Sequence, residues 1–105
     1  MRGQIEATAL KQMLDAGQRF HLLDVRAPEE HATASIPGAR LVDAAVAAEI
    51  EKLPKDTMLV FHCHHGGRSQ QAAEHFRKLG FRNVHNVVGG IDAWSRLVDP
   101  SVPRY

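Results

Sequence analysis

The segment "DTMLVFHCHHGGRSQQAAEHFRKLG", residues 56–80, decides the fold because it joins a buried strand to a helix through a short polar loop. Residues 58–61 form a continuous apolar run, which is typical of a strand covered on both faces. Four apolar residues then recur at the spacing of one helical face: Ala72, Ala73, Phe76 and Leu79. We expect this helix to begin near Arg68 or Ser69 and to end before Gly80, the residue type that commonly follows a helix C-terminus.

Strand and helix patterns alternate on the upstream side of this unit. The stretch "IEATALKQMLDAG", residues 5–17, has helical spacing, and "RFHLLDV", residues 19–25, reads as a short strand. Pro28 then fits the first turn of a short helix. A Pro-Gly turn and a small apolar run in residues 35–42 predict another strand, and residues 43–53 predict another helix.

The same alternation continues downstream. Residues 81–90, "FRNVHNVVGG", predict a strand, and residues 90–98 predict a last helix in which Ile91, Trp94 and Leu97 are able to face the core. Strands that alternate with helices predict an α/β fold in three layers, with a central, mostly parallel sheet of about five strands and helices on both faces. We expect one domain over residues 1–105, with an irregular tail from about residue 99.

Composition and charge exclude several classes of function. Of the 105 residues, 44% are hydrophobic and 24% are charged, as in ordinary globular domains. A net charge of +1 gives no overall field that would attract nucleic acid or an anionic membrane, so neither is expected as a partner. The N-terminal residues lack the apolar core of a signal peptide, and the single cysteine cannot form an intrachain disulfide. These features favour a location in the reducing cytoplasm.

The loop "CHHGGRS", residues 63–69, has the composition of an anion-binding device. Cys63 follows a parallel strand, at the edge of the sheet where ligands usually bind. Gly66 and Gly67 let backbone N–H groups converge without obstruction, and the helix N-terminus adds partial positive charge. A thiolate at Cys63 should therefore have a lowered pKa, with Arg68 either contacting a bound oxyanion or pairing with an acidic neighbour.

Two other interpretations of this loop were weighed against the anion-binding one. One is that Cys63 is a buried structural cysteine without a chemical role, which the neighbouring glycines and arginine disfavour. A metal site would draw on His62, His64 and His65 beside Cys63, but strand alternation sends His62 to the opposite side, and no second pair of ligands is evident. We expect no metal and no cofactor, while incidental metal affinity stays open.

Three motifs in this order resemble the rhodanese (sulfurtransferase) domain family. They are "LLDVRAPEEHATASIPGARLV" at residues 22–42, "CHHGGRS" at residues 63–69 and "VVGGIDAW" at residues 87–94. The resemblance covers nearly the whole chain and implies the rhodanese-like fold. The sequence is also similar to rhodanese domains joined to monothiol glutaredoxins, so the chain is either a stand-alone protein or a domain of such a fusion.

The resemblance implies a thiosulfate sulfurtransferase with Cys63 as the nucleophile that carries the sulfur as a persulfide. Five loop residues would bind the persulfide or substrate: His64, His65, Gly66, Gly67 and Arg68. Three possibilities stay open for the two histidines: they orient a donor, they carry partial positive charge, or they are exposed without a role. Asp24 and Arg26 either brace the loop or line its entrance, and bracing is preferred.

The expected partners are a small sulfur donor such as thiosulfate and a thiol acceptor such as glutathione or a thioredoxin-like protein, with cyanide as an acceptor in assays. The alternative function is a persulfide carrier or docking module that serves a protein partner. Phosphatase or arsenate reductase activity is disfavoured because only four residues separate Cys63 from Arg68, whereas those related enzymes have five. The physiological donor, the acceptor and the oligomeric state stay open.

Overall fold

The computed structural model describes residues 3–104 and contains five strands and five helices within them. In chain order these are β1 (Gln4–Ile5), α1 (Ala7–Asp15), β2 (His21–Asp24), α2 (Pro28–Thr33), β3 (Arg40–Leu41), α3 (Ala44–Glu51), β4 (Leu59–His62), α4 (Gly67–Lys78), β5 (Val84–Val87) and α5 (Gly90–Leu97). The predicted α/β class is confirmed. No helix in the described part of the chain is both long and apolar enough to cross a bilayer.

The five strands form one parallel sheet in the order β1-β5-β4-β2-β3. The central strand, β4, is buried along its whole length, which explains why its first three residues are apolar; its last residue, His62, is a buried polar residue. In the register between β2 and β4, Asp24 lies beside His62, the last residue of β4. The carboxyl ends of these two strands, and the loops that follow them, are therefore neighbours.

Helices cover both faces of the sheet, so the predicted three layers are present. One apolar cluster lies between the sheet and the pair α1 and α5, and it includes Leu10, Leu22, Val60, Ile91 and Trp94. The other lies between the sheet and the helices α3 and α4, and it includes Leu23, Ile50, Phe61, Ala73 and Phe76. Alternate residues of β2 and β4 point into opposite clusters, as the two-residue period of a strand requires.

Four details differ from the sequence predictions. Ile5 lies in strand β1 rather than in the first helix, and α4 begins at Gly67, before the expected start. Leu79 and Leu97 are 40% and 56% exposed, although both were placed on apolar helical faces. Leu97 is corrected because Val98, seven residues after Ile91, packs on the core in its place.

Candidate active site

Cys63 lies directly after β4, at the carboxyl end of the central strand, and its residue is only 1% exposed. The chain then turns into α4 through Gly66, whose φ of +117° is accessible to glycine and strained for other residues. This turn aims the Gly66 N–H at the cysteine, with 3.0 Å between N and Sγ. The short loop and the helix start thus fold back over the sulfur, as the glycines predicted.

Hydrogen-bond donors surround the sulfur of Cys63 and favour its ionised form. Burial raises the pKa of the thiol, but the hydroxyl and N–H of Ser69 and the N–H groups of Gly66 and Arg68 together lower it below the ordinary value of 9.0. The Ser69 hydroxyl lies 3.4 Å from Sγ. The arrangement is chemically suited to hold a sulfur anion.

Ser69 is a site residue that the sequence interpretation missed. It is fully buried in the first turn of α4, and its hydroxyl also contacts the Gly66 carbonyl and the side-chain oxygen of Asn86 on β5. A signal was present, because Ser69 lies four residues before Ala73 and therefore on the same buried face of the helix. Extending that face one turn toward the N-terminus would have found it.

Asp24 and Arg26 form a buried ion pair beside the loop. The Arg26 guanidinium donates to both carboxylate oxygens of Asp24, at 2.9 and 2.6 Å, and the residues are 0% and 4% exposed. Arg26 also donates to the carbonyls of Glu30 and Ala34, so it ties the end of β2 to α2. The geometry favours bracing over lining an entrance. His31, which showed no signal in the sequence, contacts the same carboxylate at 2.8 Å.

Arg68 reaches α2 from the other side of the loop. Its guanidinium forms two hydrogen bonds with the Glu30 carboxylate, at 2.7 and 3.0 Å. Of the two roles considered for Arg68, the structure shows pairing with an acidic neighbour. Both arginines therefore contact Glu30 on α2: Arg26 joins α2 to the end of β2, and Arg68 joins it to the start of α4.

The N-terminus of α5 closes the remaining side of the loop. The N–H of Ile91 donates to the Cys63 carbonyl at 2.8 Å, and the N–H of Asp92 donates to the His64 carbonyl at 3.1 Å. Gly90 allows this approach, since a Cβ at that position would lie 2.3 Å from the Cys63 carbonyl oxygen. Gly90 of "VVGGIDAW" thus serves close backbone packing at the active loop, whereas a Cβ at Gly89 would instead meet Ala93 within α5.

His64 and His65 lie together at the rim of the loop, with their rings stacked at 4.0 Å between centroids. Burial and the neighbouring His65 lower the pKa of His64. Within residues 3–104, the side chains close enough to share a cation here are His64, His65 and Asp92, whose ligand atoms lie within 4.8 Å of one another. Both Asp92 oxygens accept hydrogen bonds from arginines, Arg96 and Arg104, which would compete with a cation. His62 is buried beneath the loop and is not part of this group.

The chain is similar in sequence and in fold to known proteins. The sequence profile of the rhodanese-like domain matches residues 6–97. A sulfurtransferase from Allochromatium vinosum is 35% identical over 97 residues, which are 91% of both chains. A human single-domain sulfurtransferase of known structure superposes with a TM-score of 0.78, at 29% identity, over 92% of this chain and 98% of that one.

Other relatives are longer proteins. An adenylyltransferase and sulfurtransferase from Ogataea parapolymorpha is 33% identical over 96 residues, and the match covers 90% of this chain but 25% of the relative. A putative sulfur carrier protein from Bacillus subtilis is 36% identical over 93 residues, and the match covers 88% of this chain and 50% of the relative. The chain thus spans a quarter to a half of the length of these two curated relatives.

Proposed function

The chain belongs to the rhodanese-like domain family, and from this premise we propose that it transfers sulfane sulfur through a persulfide on Cys63. The observation that carries the proposal is the set of donors around the sulfur: the Gly66 N–H at 3.0 Å and the Ser69 hydroxyl at 3.4 Å. Such donors stabilise a thiolate before the reaction and a persulfide anion after it.

The reaction proceeds in two nucleophilic steps. The Cys63 thiolate attacks the outer sulfur of a donor such as thiosulfate; a sulfur–sulfur bond forms to Cys63, the one in thiosulfate breaks, and sulfite leaves with the bonding electrons. An acceptor thiolate then attacks the outer sulfur of the persulfide and takes it as its own persulfide, while Cys63 leaves as a thiolate. Neither step needs an external oxidant, a reductant or a cofactor.

The same site is poorly suited to phosphoryl chemistry. A cysteine phosphatase uses an arginine and converging N–H groups to neutralise three phosphoryl oxygens. Here the Arg68 guanidinium is paired with Glu30, and the loop between Cys63 and Arg68 is four residues long. We therefore place sulfur transfer ahead of phosphatase or arsenate reductase activity.

A second candidate function is a persulfide carrier that receives sulfur from a protein donor. It is supported by the relative described as a putative sulfur carrier and by the longer relatives in which the matching region is one part of a larger chain. Both candidates use the same persulfide on Cys63 and differ in the molecule that loads it.

Intact mass measurement tests both candidates. Reduced protein is mixed with thiosulfate, and its mass is followed over time; a prompt gain of one sulfur, reversed by glutathione or reduced thioredoxin, supports the enzyme. Loading by a cysteine desulfurase but not by thiosulfate supports the carrier. The control is Cys63→Ser, which removes the only cysteine and should gain no sulfur from either source. A sulfur gain by Cys63→Ser would contradict the proposal.

A further inference from the structure

The hydroxyl of Ser69 faces more acceptors than it can serve. Its oxygen lies 3.4 Å from the Cys63 sulfur and 3.2 Å from the Gly66 carbonyl oxygen, and it also contacts the side-chain oxygen of Asn86. A serine has one hydroxyl proton, so it donates to only one of these groups at a time. When the hydroxyl donates to Asn86, its own oxygen is left to accept from the sulfur, which suits a thiol and opposes a thiolate.

The Asn86 side chain connects the buried Ser69 to two half-buried glutamines, Gln70 and Gln4. Its amide nitrogen lies 3.2 Å from the side-chain oxygen of Gln70 and 3.2 Å from that of Gln4, and the Gln4 nitrogen lies 2.9 Å from the Gln70 oxygen. Asn86 is 4% exposed and Ser69 is fully buried, so bulk water is largely excluded from the hydrogen bond between these two side chains. We call Asn86, Gln70 and Gln4 the amide relay.

We propose that the amide relay reverses the direction of its hydrogen bonds when the sulfur of Cys63 changes from a thiol to an anion. If all three amides exchange the places of their oxygen and nitrogen, every contact among them again joins a donor to an acceptor. The Asn86 nitrogen then donates to the Ser69 oxygen, which frees the hydroxyl proton for the sulfur anion. Reversal of one amide alone would set two donors or two acceptors against each other, so the three reverse together.

The relay is a positioning device and does not itself accept the thiol proton, which leaves to solvent. It acts on the sulfur only through the Ser69 hydroxyl. Gln70 and Gln4 therefore influence the ionisation of Cys63 without touching it. The inference rests on the proposed function, because the sulfur is thiolate or persulfide at every stage of that cycle and the relay must hold the reversed direction throughout.

Gln70→Glu tests the relay because a carboxylate can only accept. It would hold the Asn86 nitrogen toward residue 70 and the Asn86 oxygen toward Ser69, the direction that disfavours the anion. The matched control is Gln71→Glu, the same change at the next, exposed position of α4. The readout is the ultraviolet absorbance of the thiolate against pH, blanked with Cys63→Ser and recorded at high ionic strength so that the added charge is screened. We expect Gln70→Glu to lower the ratio of thiolate to thiol by about tenfold at a given pH, and Gln71→Glu to leave it near the wild-type ratio.

A double-mutant cycle shows whether the effect passes through the serine. In a Ser69→Ala background, the further change Gln70→Glu should have little effect on the thiolate ratio, since the one hydrogen-bonded link between the relay and the sulfur within residues 3–104 is gone. An equal effect of Glu at positions 70 and 71, or an undiminished effect of Gln70→Glu in the Ser69→Ala background, would overturn the proposal. The titration needs no sulfur donor, so failure of the relay and failure of the proposed function are distinguishable.

Discussion

At the scale of single residues, the buried and uncharged hydroxyl of Ser69 is a hydrogen-bond donor to the Cys63 sulfur, 3.4 Å away. Ser69→Ala removes this donor. Burial raises the pKa of the Cys63 thiol and the Ser69 hydrogen bond lowers it, so we expect the pKa to rise in this variant. A hydrogen bond to a charged group is strong enough for the ratio of thiolate to thiol to fall about tenfold. Titration of the thiolate absorbance measures the change.

Ser95→Ala is the matched control for this substitution. Ser95 is also a buried helical serine, 3% exposed, and its hydroxyl donates to the Val102 carbonyl far from the loop in sequence. Its loss should reduce the stability of the fold while the thiol titrates as in the wild type. An equal rise of the thiol pKa in both variants would show that general loosening, and not the donor, controls Cys63.

The residue types of the site could be read from the sequence, but their partners could not. Cys63, the glycines and Arg68 are consecutive in the chain, so their cooperation needs only the local turn. Glu30, which Arg68 contacts, lies 38 residues away, and Asn86 lies 17 residues from Ser69. The packing of the sheet decides which of several acidic or amide side chains contacts the loop. Such long-range contacts cannot be predicted from a single sequence.

At the scale of elements, α5 is placed by a glycine whose Cβ would collide with the active loop. Gly90→Ala would put a methyl group 2.3 Å from the Cys63 carbonyl oxygen and would also strain a φ of +58°. We expect it to lower the free energy of unfolding by about 3 kcal/mol or more, from strain and overpacking together. Urea unfolding measures this loss, and the thiolate titration reports whether the loop is displaced as well.

Gly17→Ala separates the collision from the backbone strain. Gly17 also has a positive φ, +68°, but a Cβ there would meet nothing within 4 Å. Its substitution should cost about 1 kcal/mol, the strain alone, and leave Cys63 unaffected. If the two glycine variants lost the same stability, the contact between α5 and the loop would not be tight in solution.

The brace between β2 and α2 is a second element-scale feature with a measurable consequence. Arg26→Ala leaves the Asp24 carboxylate buried without its guanidinium, and such broken pairs cost about 3–5 kcal/mol of unfolding free energy. Lys11→Ala breaks the exposed pair with Asp15 and should cost less than about 0.5 kcal/mol. Urea unfolding at neutral pH compares them; a small loss for Arg26→Ala would mean that water reaches Asp24.

Element types followed from the sequence more readily than element ends. The long apolar period of α4 and the buried run of β4 each contain enough residues to fix their structure. The two residues of β1 do not, because β1 is a strand only through its pairing with β5, where Gln4 meets Asn86 and Ile5 meets Val87. Tertiary pairing therefore overrode the helical spacing that begins at Ile5.

At the scale of the whole molecule, the free energy of unfolding depends on pH through one buried histidine at the end of the central strand. His62 ends the central strand and is fully buried, and its Nε2 has no hydrogen-bond partner within residues 3–104. Burial lowers the pKa of His62 to about 4, against the attraction of Asp24. The imidazole is therefore neutral in the folded protein at neutral pH, whereas in the unfolded chain it takes up a proton as the pH falls through 6.5.

The unfolded state thus binds more protons than the folded state between about pH 6.5 and pH 4, so the protein loses stability as the pH falls through this window. The loss assignable to His62 is roughly 3 kcal/mol across the window. Asp24 adds to acid sensitivity only below its ordinary pKa of 3.8, because its pKa is lowered in the fold.

His62→Leu should remove the part of this stability loss that is due to His62 and flatten the pH dependence of urea unfolding, whatever the stability of the variant at neutral pH. His75→Phe, at an exposed position on α4, is the matched variant for the loss of one histidine. A His62→Leu slope equal to that of the wild type would place the acid sensitivity elsewhere in the molecule.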